Sequence, residues 1–204
     1  MKINKKKFVY LISPNKITKH FYKDLIDVLK SNKVSFFQLR LKKDSYKKKL
    51  KIAEKIKKIC KKFRVRFLIN DDPKLAKQVN ADGCHLGQKD MSIDNAKKIL
   101  KKKVIGVTCH NSVKLAKIAL KNNVNYIAFG AFNSTKTKKV KYKADIGIIR
   151  RFKKISKIPV VAIGGINNLN YKKLLLNKAD FLAISGYIWN NKKLKSIEAI
   201  KLLK

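Results

Sequence analysis

Short apolar runs alternate along this chain with longer segments in which apolar residues recur every three or four positions. The short runs are typical of buried strands, and the longer segments are typical of helices that pack on one face. The predicted strands cover residues 8–12, 34–39, 67–69, 83–86, 104–107, 126–129, 160–163 and 181–184. The predicted helices cover residues 21–30, 46–61, 73–79, 93–101, 113–122, 146–154, 169–176 and 194–203. Each strand is followed by a helix, which indicates repeated βα units.

Eight βα units in a chain of 204 residues predict an α/β fold, the (β/α)8 or TIM barrel, as a single domain over residues 1–204. This length is near the lower end for such barrels, roughly 200 residues upward. An open doubly wound sheet is the alternative, but no Gly-x-Gly-x-x-Gly follows the first strand. In a barrel the functional site lies at the carboxyl ends of the strands.

Three residues also carry signals for where helices begin. Pro73 fits a first helical turn, where the missing N–H costs nothing. Ser112 and Asn168 are suited to N-cap positions, because their side chains can accept a bond from the first turn.

The second predicted strand ends in an unusual set of polar residues, Gln38, Arg40 and Lys42. Alternate residues of a strand point to the same side, so all three are expected to face the barrel mouth. Arginine and lysine together bind phosphate oxygens through charge-assisted hydrogen bonds. A solvated basic rim is the plainer interpretation for Lys42, although it accounts less well for Gln38 and Arg40.

Two carboxylates follow neighbouring strands, Asp71 after the third and Asp90 after the fourth, although the whole chain has only 12 acidic residues. Two carboxylates on adjacent loops can hold Mg²⁺, which leaves coordination positions for substrate phosphate. Helix capping is the alternative, because Asp72 precedes Pro73 and Asp90 lies close to the start of the next helix.

The loops after the last three strands have features of a phosphate site. Strand 7 ends in Gly164 and Gly165, and strand 8 is followed by Ser185. The loops after strands 7 and 8 commonly bind phosphate in this fold, and glycine lets an anion approach the backbone. The loop after strand 6 adds hydroxyls and lysines at residues 135–138, a weak signal taken alone.

The charge of the chain is extreme, +40 at pH 7, with 52 basic residues of which five are arginine. Nucleic-acid binding is one interpretation of such a charge. Recognition surfaces favour clustered arginine, whereas lysine here is spread over every predicted helix. A drift toward A/T-rich codons explains this composition more simply, and the charge would still attract phosphorylated substrates.

The three cysteines, at positions 60, 84 and 109, have no disulfide-like spacing and suit a reducing compartment. The chain starts without an apolar signal region, and no apolar run approaches membrane-spanning length, so a cytoplasmic location is predicted.

The pairs Cys84-His85 and Cys109-His110 suggest zinc, but adjacent strand residues point to opposite faces. Buried cysteines are the favoured interpretation.

The chain resembles the thiamine-phosphate synthase family nearly from end to end. That family carries Gln-x-Arg-x-Lys after strand 2, Asn-Asp after strand 3 and His-Leu-Gly-Gln-x-Asp after strand 4. It carries Gly-x-Ser and then His after strand 5, Thr-x-Thr-Lys after strand 6, and Gly-Gly-Ile after strand 7. The corresponding residues here are Gln38, Arg40, Lys42, Asn70, Asp71, residues 85–90, residues 106–110, residues 135–138 and residues 164–166. Six motifs in this order are far more specific than any one of them.

The resemblance implies a transferase that joins 4-amino-2-methyl-5-hydroxymethylpyrimidine diphosphate to a thiazole phosphate, releasing pyrophosphate. Arg40, Lys42 and Lys138 would then be catalytic and, with Asn70, would hold the leaving pyrophosphate, while Asp71 and Asp90 would bind Mg²⁺. Gln38 and Thr108 would line the pyrimidine side. The residues implied for the thiazole phosphate are Thr135, Thr137, Gly164, Gly165, Ile184 and Ser185. The implied partners are phosphorylated small molecules, without nucleic acid or membrane, and a homo-oligomer stays an open possibility.

Three departures from the family pattern bear on efficiency: Leu41 stands where an acidic residue is common, Thr108 replaces Ser, and Ala131 replaces Pro. The related thiazole tautomerase is the nearest alternative function. It tends to lack the acidic residue matching Asp90 and the loop containing Lys138, so the synthase is favoured.

Overall fold

Eight strands form a closed parallel barrel in the computed structural model, which describes residues 7–134 and 142–204. Each strand pairs with the next along the chain, and the last pairs with the first. The strands are β1 (Val9–Ile12), β2 (Val34–Leu39), β3 (Arg66–Asn70), β4 (Gly83–Leu86), β5 (Val104–His110), β6 (Tyr126–Gly130), β7 (Val160–Ile163) and β8 (Phe181–Ile184). The predicted (β/α)8 barrel is confirmed.

Helices connect the strands and surround the barrel. The helices of the described residues are α1 (Phe21–Lys30), α2 (Tyr46–Lys62), α3 (Pro73–Gln78), α4 (Ile93–Leu100), α5 (Val113–Lys121), α6 (Gly147–Lys153), α7 (Tyr171–Leu176), α8 (Gly186–Trp189) and α9 (Ser196–Lys201). Eight of them match the predicted helices closely, and the short α8 has no counterpart in the prediction. Within the described ranges, no helix has both the length and the apolar character to cross a membrane.

The helix-start signals were right at two positions and wrong at one. Pro73 occupies the first turn of α3, and the Ser112 hydroxyl accepts a hydrogen bond from the Leu115 N–H at 3.2 Å. Asn168 is not a cap, because α7 begins later, after Asn170. The segment before α7 is instead a turn in which Asn167 and Asn170 side chains accept backbone hydrogen bonds.

Each strand contributes to two apolar layers because its side chains alternate in direction. In β1, Val9 and Leu11 pack between the strands and the helices, whereas Tyr10 and Ile12 belong to the cluster inside the barrel. The inner cluster consists of Tyr10, Ile12, Phe36, Leu68, Tyr126, Ala128, Val161, Phe181 and Ala183. Aromatic rings therefore make up much of the barrel interior, which is a packed core.

A repeated device joins the strands at their amino ends. Asp82, Asn125 and Asp180 each immediately precede an even-numbered strand. Their side-chain oxygens accept backbone hydrogen bonds from the neighbouring odd-numbered strands: Asp82 from Phe67 at 2.7 Å, Asn125 from Ile105 at 2.8 Å and Asp180 from Val160 at 2.7 Å. These three side chains are structural, because they lie at the opposite end of the barrel from the predicted site.

We expect Asp180→Ala to lower the free energy of unfolding by about 2 kcal/mol, because it removes a charge-assisted bond to Val160 and the ion pair with Lys153. Urea unfolding measures this change. Asp27→Ala, which removes an exposed ion pair with Lys30, is the control and should change stability by less than about 1 kcal/mol. Equal effects of the two substitutions would contradict the structural role of Asp180.

Candidate active site

Polar side chains from four neighbouring strands meet at the carboxyl mouth of the barrel. Gln38 is on β2, Asn70 ends β3, His85 is on β4 and Thr108 is on β5. Gln38 is only 3% exposed and His85 only 8% exposed, so both are buried polar groups that need hydrogen-bond partners. Because aromatic rings surround both side chains, their hydrogen-bond partners determine how the two side chains are oriented in the site.

Two tyrosines inside the barrel supply those partners and link the four residues into a continuous hydrogen-bonded chain. We call this the polar chain; in spatial order its members are Thr108, His85, Tyr126, Tyr10, Gln38 and Asn70. The hydroxyl of Tyr126 lies 2.8 Å from His85 Nδ1 and 2.8 Å from the hydroxyl of Tyr10. The polar chain therefore crosses the barrel from β5 through β4, β6 and β1 to β2 and β3.

The two ends of the polar chain lie closer to the open mouth. Thr108 Oγ1 is 2.8 Å from His85 Nε2, and both Thr108 and Asn70 are partly exposed. At the other end, the Tyr10 hydroxyl donates to Gln38 Oε1 at 2.8 Å, and Gln38 Nε2 donates to Asn70 Oδ1. A ligand in the mouth can therefore contact the end residues, while the middle members stay inside the core.

Gly106 on β5 makes the position of Tyr126 possible. A Cβ atom at residue 106 would lie 1.8 Å from Cζ of the Tyr126 ring, far inside any permitted contact. The Gly-x-Thr motif, which lies within β5, thus has a structural cause: Gly106 makes room for the ring, and Thr108 ends the polar chain.

Burial keeps the middle of the polar chain uncharged. It lowers the pKa of His85 to about 4, with the nearby Asp71 charge opposing that shift only in part. It also raises the pKa of both Tyr10 and Tyr126 well above the ordinary value. His85 is therefore a neutral imidazole at pH 7, with both ring nitrogens engaged by hydroxyl groups.

The predicted carboxylates meet beside this mouth. Lys42 Nζ lies 2.9 Å from Asp71 Oδ2, and Asp90 interacts directly with Asp71. Burial raises the pKa of Asp71, but its contacts with Asp90 and Lys42 together outweigh burial, so that pKa lies below its ordinary value. Burial and the Asp71 carboxylate raise the pKa of Asp90. Two carboxylates and a cation are thus held in one cluster.

Helix capping explains the position of Asp72 but not that of Asp90. Asp72 does cap α3, since its Oδ1 accepts from the Leu75 N–H at 2.9 Å. Asp90 does not cap α4, whose N-cap is Ser92. Asp90 Oδ2 instead accepts a hydrogen bond from the Gly87 N–H at 2.7 Å, which orients its carboxylate within the loop after β4.

The Asp71–Asp90 pair has the chemistry of a site for a small divalent cation. Hard oxygen ligands suit such ions, and one or two carboxylates suffice where substrate phosphates and water supply the rest. In the parts of the chain that the structure describes, no cluster of three or more His, Cys, Asp or Glu side chains suits a metal. The pair could therefore form an open site that shares the ion with a substrate, rather than a closed protein cage.

The predicted trio of β2 is more spread out than simple strand alternation implies, because β2 ends at Leu39. Gln38 lies inside the barrel, whereas Arg40 and Lys42 lie beyond the strand. The Arg40 guanidinium donates to Asn15 Oδ1 at 3.1 Å in the loop after β1, and its backbone N–H donates to Ser13 Oγ at 2.9 Å. Arg40 and Lys42 therefore lean toward opposite neighbouring loops across the rim.

The opposite side of the mouth contains the residues predicted to bind the second phosphate. Gly164 and Gly165 have positive φ angles, 107° and 58°, and a Cβ at either would collide with residues 131–134 of the loop after β6. Ile184 is buried at the end of β8, and Ser185 Oγ donates to the Ser13 carbonyl at 3.1 Å. Thr135, Thr137 and Lys138 lie outside the described residues.

The family departures fit the structure without disturbing the mouth. Leu41 is 6% exposed and packs in the outer apolar core, so it needs no ionic partner. The Ala131 N–H donates to the Tyr142 carbonyl, and the Ala144 N–H donates to the Ala131 carbonyl. Backbone hydrogen bonds therefore hold the base of the loop after β6.

The zinc interpretation does not fit the geometry. The side chains of Cys84 and Cys109 are fully buried in the outer core, away from a shared site with His85. Burial raises the pKa of the Cys109 thiol to about 12 and that of Cys84 higher still, which disfavours the thiolates that zinc binds.

Sequence reasoning missed Tyr10 and Tyr126, which connect the predicted residues to one another. Both were assigned to strands as apolar core. A hydroxyl-bearing ring in an otherwise apolar inner layer is the signal that was available, since a buried tyrosine hydroxyl needs a partner. For Tyr126 the glycine at position 106 was a second signal.

The barrel and its rim define a class of protein: a (β/α)8 barrel with cations, amides and carboxylates at the carboxyl ends of its strands, suited to anionic substrates. Comparison with known proteins names the family. Residues 9–188 match the family model described as thiamine monophosphate synthase. The chain belongs to the thiamine monophosphate synthase family.

Individual relatives agree along the whole chain. The thiamine-phosphate synthase of Pelagibacter ubique (strain HTCC1062) is 66% identical, covering 100% of both chains, and that of Erythrobacter litoralis (strain HTCC2594) is 37% identical over 94% of this chain and 92% of the relative. The solved thiamine phosphate pyrophosphorylase from Pyrococcus furiosus has a TM-score of 0.85 at 25% identity, covering 98% of this chain and 95% of that one. The predicted family and enzyme class are confirmed, and these relatives do not favour the tautomerase.

We expect Gly106→Ala to lower the free energy of unfolding by at least about 1–3 kcal/mol, because the new methyl group must displace the Tyr126 ring. Denaturant unfolding and near-ultraviolet circular dichroism measure the effect. Gly147→Ala in α6 is the control: its Cβ meets only the ends of flexible side chains, and it should be neutral or stabilising by up to about 1 kcal/mol. A stable Gly106→Ala protein with an unchanged tyrosine signal would contradict the packing.

The pKa of His85 predicts a loss of stability in mild acid. In the unfolded chain the imidazole takes up a proton near pH 6.5, whereas in the folded protein it does so only near pH 4. The unfolded state therefore binds more protons between these values, and stability falls as pH drops. Between pH 7 and pH 5 the wild-type free energy of unfolding should fall by about 2 kcal/mol more than that of His85→Gln. A pH-independent difference between the two proteins would refute a buried neutral His85.

Proposed function

We propose that this chain joins 4-amino-2-methyl-5-hydroxymethylpyrimidine diphosphate to 4-methyl-5-(2-phosphoethyl)thiazole, giving thiamine phosphate and pyrophosphate. The observation that supports this most directly is the cluster of Lys42, Asp71 and Asp90 beside the polar chain. It places groups suited to a diphosphate beside the neutral donors and acceptors of the polar chain, which suit a heterocycle. Membership of the family supports the same reaction.

The chemistry requires the bond between the pyrimidine methylene carbon and the diphosphate oxygen to break. Negative charge then accumulates on the departing pyrophosphate, so pre-placed cations and hydrogen-bond donors lower the barrier. Among the described residues, Arg40, Lys42 and the amide of Asn70 would do this work, and Lys138, outside the described residues, is expected to join them. Asp71 and Asp90 would hold Mg²⁺, which neutralises diphosphate charge when bound.

The electron-poor methylene carbon left behind is then captured by the lone pair of the thiazole nitrogen, which completes the new C–N bond. No general base is required for this step. His85 is suited to orienting a neighbour rather than moving protons, because both of its nitrogens are engaged and its pKa is about 4. The aromatic lining below the mouth keeps water from the reacting carbon.

The second phosphate is expected on the opposite side of the mouth, at Gly164, Gly165, Ile184 and Ser185, with Thr135 and Thr137. The proposal supposes small phosphorylated partners only and no nucleic acid, and it leaves open a homo-oligomer. We further infer a cytoplasmic reaction, because the three cysteines are free and buried, as expected in a reducing compartment.

The experiment that tests this function is formation of thiamine phosphate from the two substrates, followed with Mg²⁺ and again with EDTA. We expect product with Mg²⁺ and at least roughly 10²-fold slower formation with EDTA, because the metal stabilises the leaving group. Absence of product from a folded sample would overturn the proposal.

Substitution of Asp90 tests the metal assignment. Asp90→Asn should lower kcat by roughly 10²-fold or more and weaken Mg²⁺ activation, because it removes half of the carboxylate pair. Asp94→Asn, at an exposed position in the first turn of α4, is the matched control and should leave kcat within about twofold. Equal turnover of the two variants would remove Asp90 from the mechanism.

A further inference from the structure

We propose that the polar chain runs in a single direction, from Thr108 to Asn70, and thereby fixes which atoms its two ends present to a substrate. Tyr10, Tyr126 and His85 then act as positioning residues, although none of them needs to touch the reacting atoms. The substrate side of this inference rests on the proposed function, whereas the direction of the polar chain is argued first from hydrogen bonds within the protein.

The direction follows from counting protons. A tyrosine hydroxyl has one proton to donate, and Tyr10 donates its proton to Gln38 Oε1. In the 2.8 Å contact between the two tyrosines, Tyr126 must therefore be the donor. Its proton is then committed, so the 2.8 Å contact with His85 requires the imidazole to donate from Nδ1.

Counting protons in the same way assigns the donor at each end of the polar chain. A neutral imidazole with its proton on Nδ1 has a bare lone pair on Nε2, so Thr108 must donate its hydroxyl proton to that nitrogen. At the other end, Gln38 Nε2 donates to Asn70 Oδ1. The orientation of the Gln38 side-chain amide thus determines which atom donates in every hydrogen bond of the polar chain.

The opposite direction would require the oxygen and nitrogen to exchange places in the side-chain amides of both Gln38 and Asn70. The surroundings of Asn70 disfavour that exchange. In the forward direction the Asn70 oxygen is occupied by Gln38, so its NH₂ group remains for an anion. In the reverse direction the carbonyl oxygen of Asn70 would face the diphosphate. A donor stabilises an anionic leaving group there, whereas a second oxygen would repel it.

The forward direction also sets the chemistry at Thr108. Its only proton points inward to His85, so the lone pairs of Oγ1 are what it presents to the mouth. That oxygen can accept a hydrogen bond from an amino group but has no proton to donate to a carbonyl. The site therefore selects a 4-aminopyrimidine over its 4-oxo counterpart, because the oxo group would meet a second acceptor.

The tautomer of His85 tests the direction without any substrate. Protein labelled with ¹⁵N-histidine, which reports three residues, is measured by NMR at pH 7, and the His85 signals are assigned by their loss in His85→Gln. We expect His85 Nδ1 to be protonated and Nε2 to have the shift of a bare, pyridine-type nitrogen. A proton on Nε2, or a mixture of the two tautomers, would overturn the proposal.

Cutting the polar chain tests what it does. Tyr126→Phe keeps the ring but removes the hydroxyl, so His85 loses the acceptor that holds its Nδ1 proton and Thr108 becomes free to rotate. The tautomers of His85 should then mix, and the ratio of kcat/KM for the 4-amino over the 4-oxo pyrimidine diphosphate should fall at least about tenfold. Tyr46→Phe, which removes a surface hydroxyl bonded to Gln78, is the matched control and should change neither quantity.

The two readouts separate this inference from the proposed reaction. If the wild-type protein forms no product but has the Nδ1 tautomer, the proposed function fails and the direction of the polar chain stands. If it forms product but retains its 4-amino selectivity in Tyr126→Phe, the inference fails and the proposed function stands.

Discussion

The position of the Tyr126 ring inside the barrel is the constraint on which the rest of the site depends. The ring fits because β5 has no side chain at Gly106, and its hydroxyl joins His85 on one side to Tyr10 on the other. Six strands, β1 to β6, are thereby held in one polar arrangement. Without that ring, Gln38 and His85 would be buried polar groups lacking their central connection, which a low-dielectric interior penalises.

The mouth of the barrel meets two opposing requirements with separate groups. A heterocycle is best bound by neutral donors and acceptors in an apolar surrounding, and in the proposed reaction the polar chain would supply these. A diphosphate needs charge, which Arg40, Lys42 and the Asp71–Asp90 pair would supply at the rim. The separation keeps ionised groups at the edge of the core, where desolvation costs less. In the proposed reaction, the very large positive charge of the chain would help to attract the phosphorylated substrates.

Much of the fold could be predicted, because each buried strand is a short apolar run and each helix repeats its apolar face. Gln38, Arg40, Lys42, Asp71 and Asp90 could also be singled out, since polar residues directly after buried strands have few structural explanations. The tyrosines could not be assigned, because a ring inside a barrel looks like core until its hydroxyl partners, 28 and 116 residues away, are known. The start of α7 was misplaced for a local reason: asparagine turn bonds before it compete with helix capping.

We infer that one polar arrangement orients the pyrimidine diphosphate, with its amino group toward β5 and its diphosphate toward β3. A crystal structure of the protein with Mg²⁺ and an unreactive analogue of that substrate would show this orientation. We expect the amino nitrogen within hydrogen-bonding distance of Thr108 Oγ1 and a diphosphate oxygen within that distance of Asn70 Nδ2. An analogue bound with its diphosphate on the Thr108 side, or with its amino group away from Thr108, would contradict it.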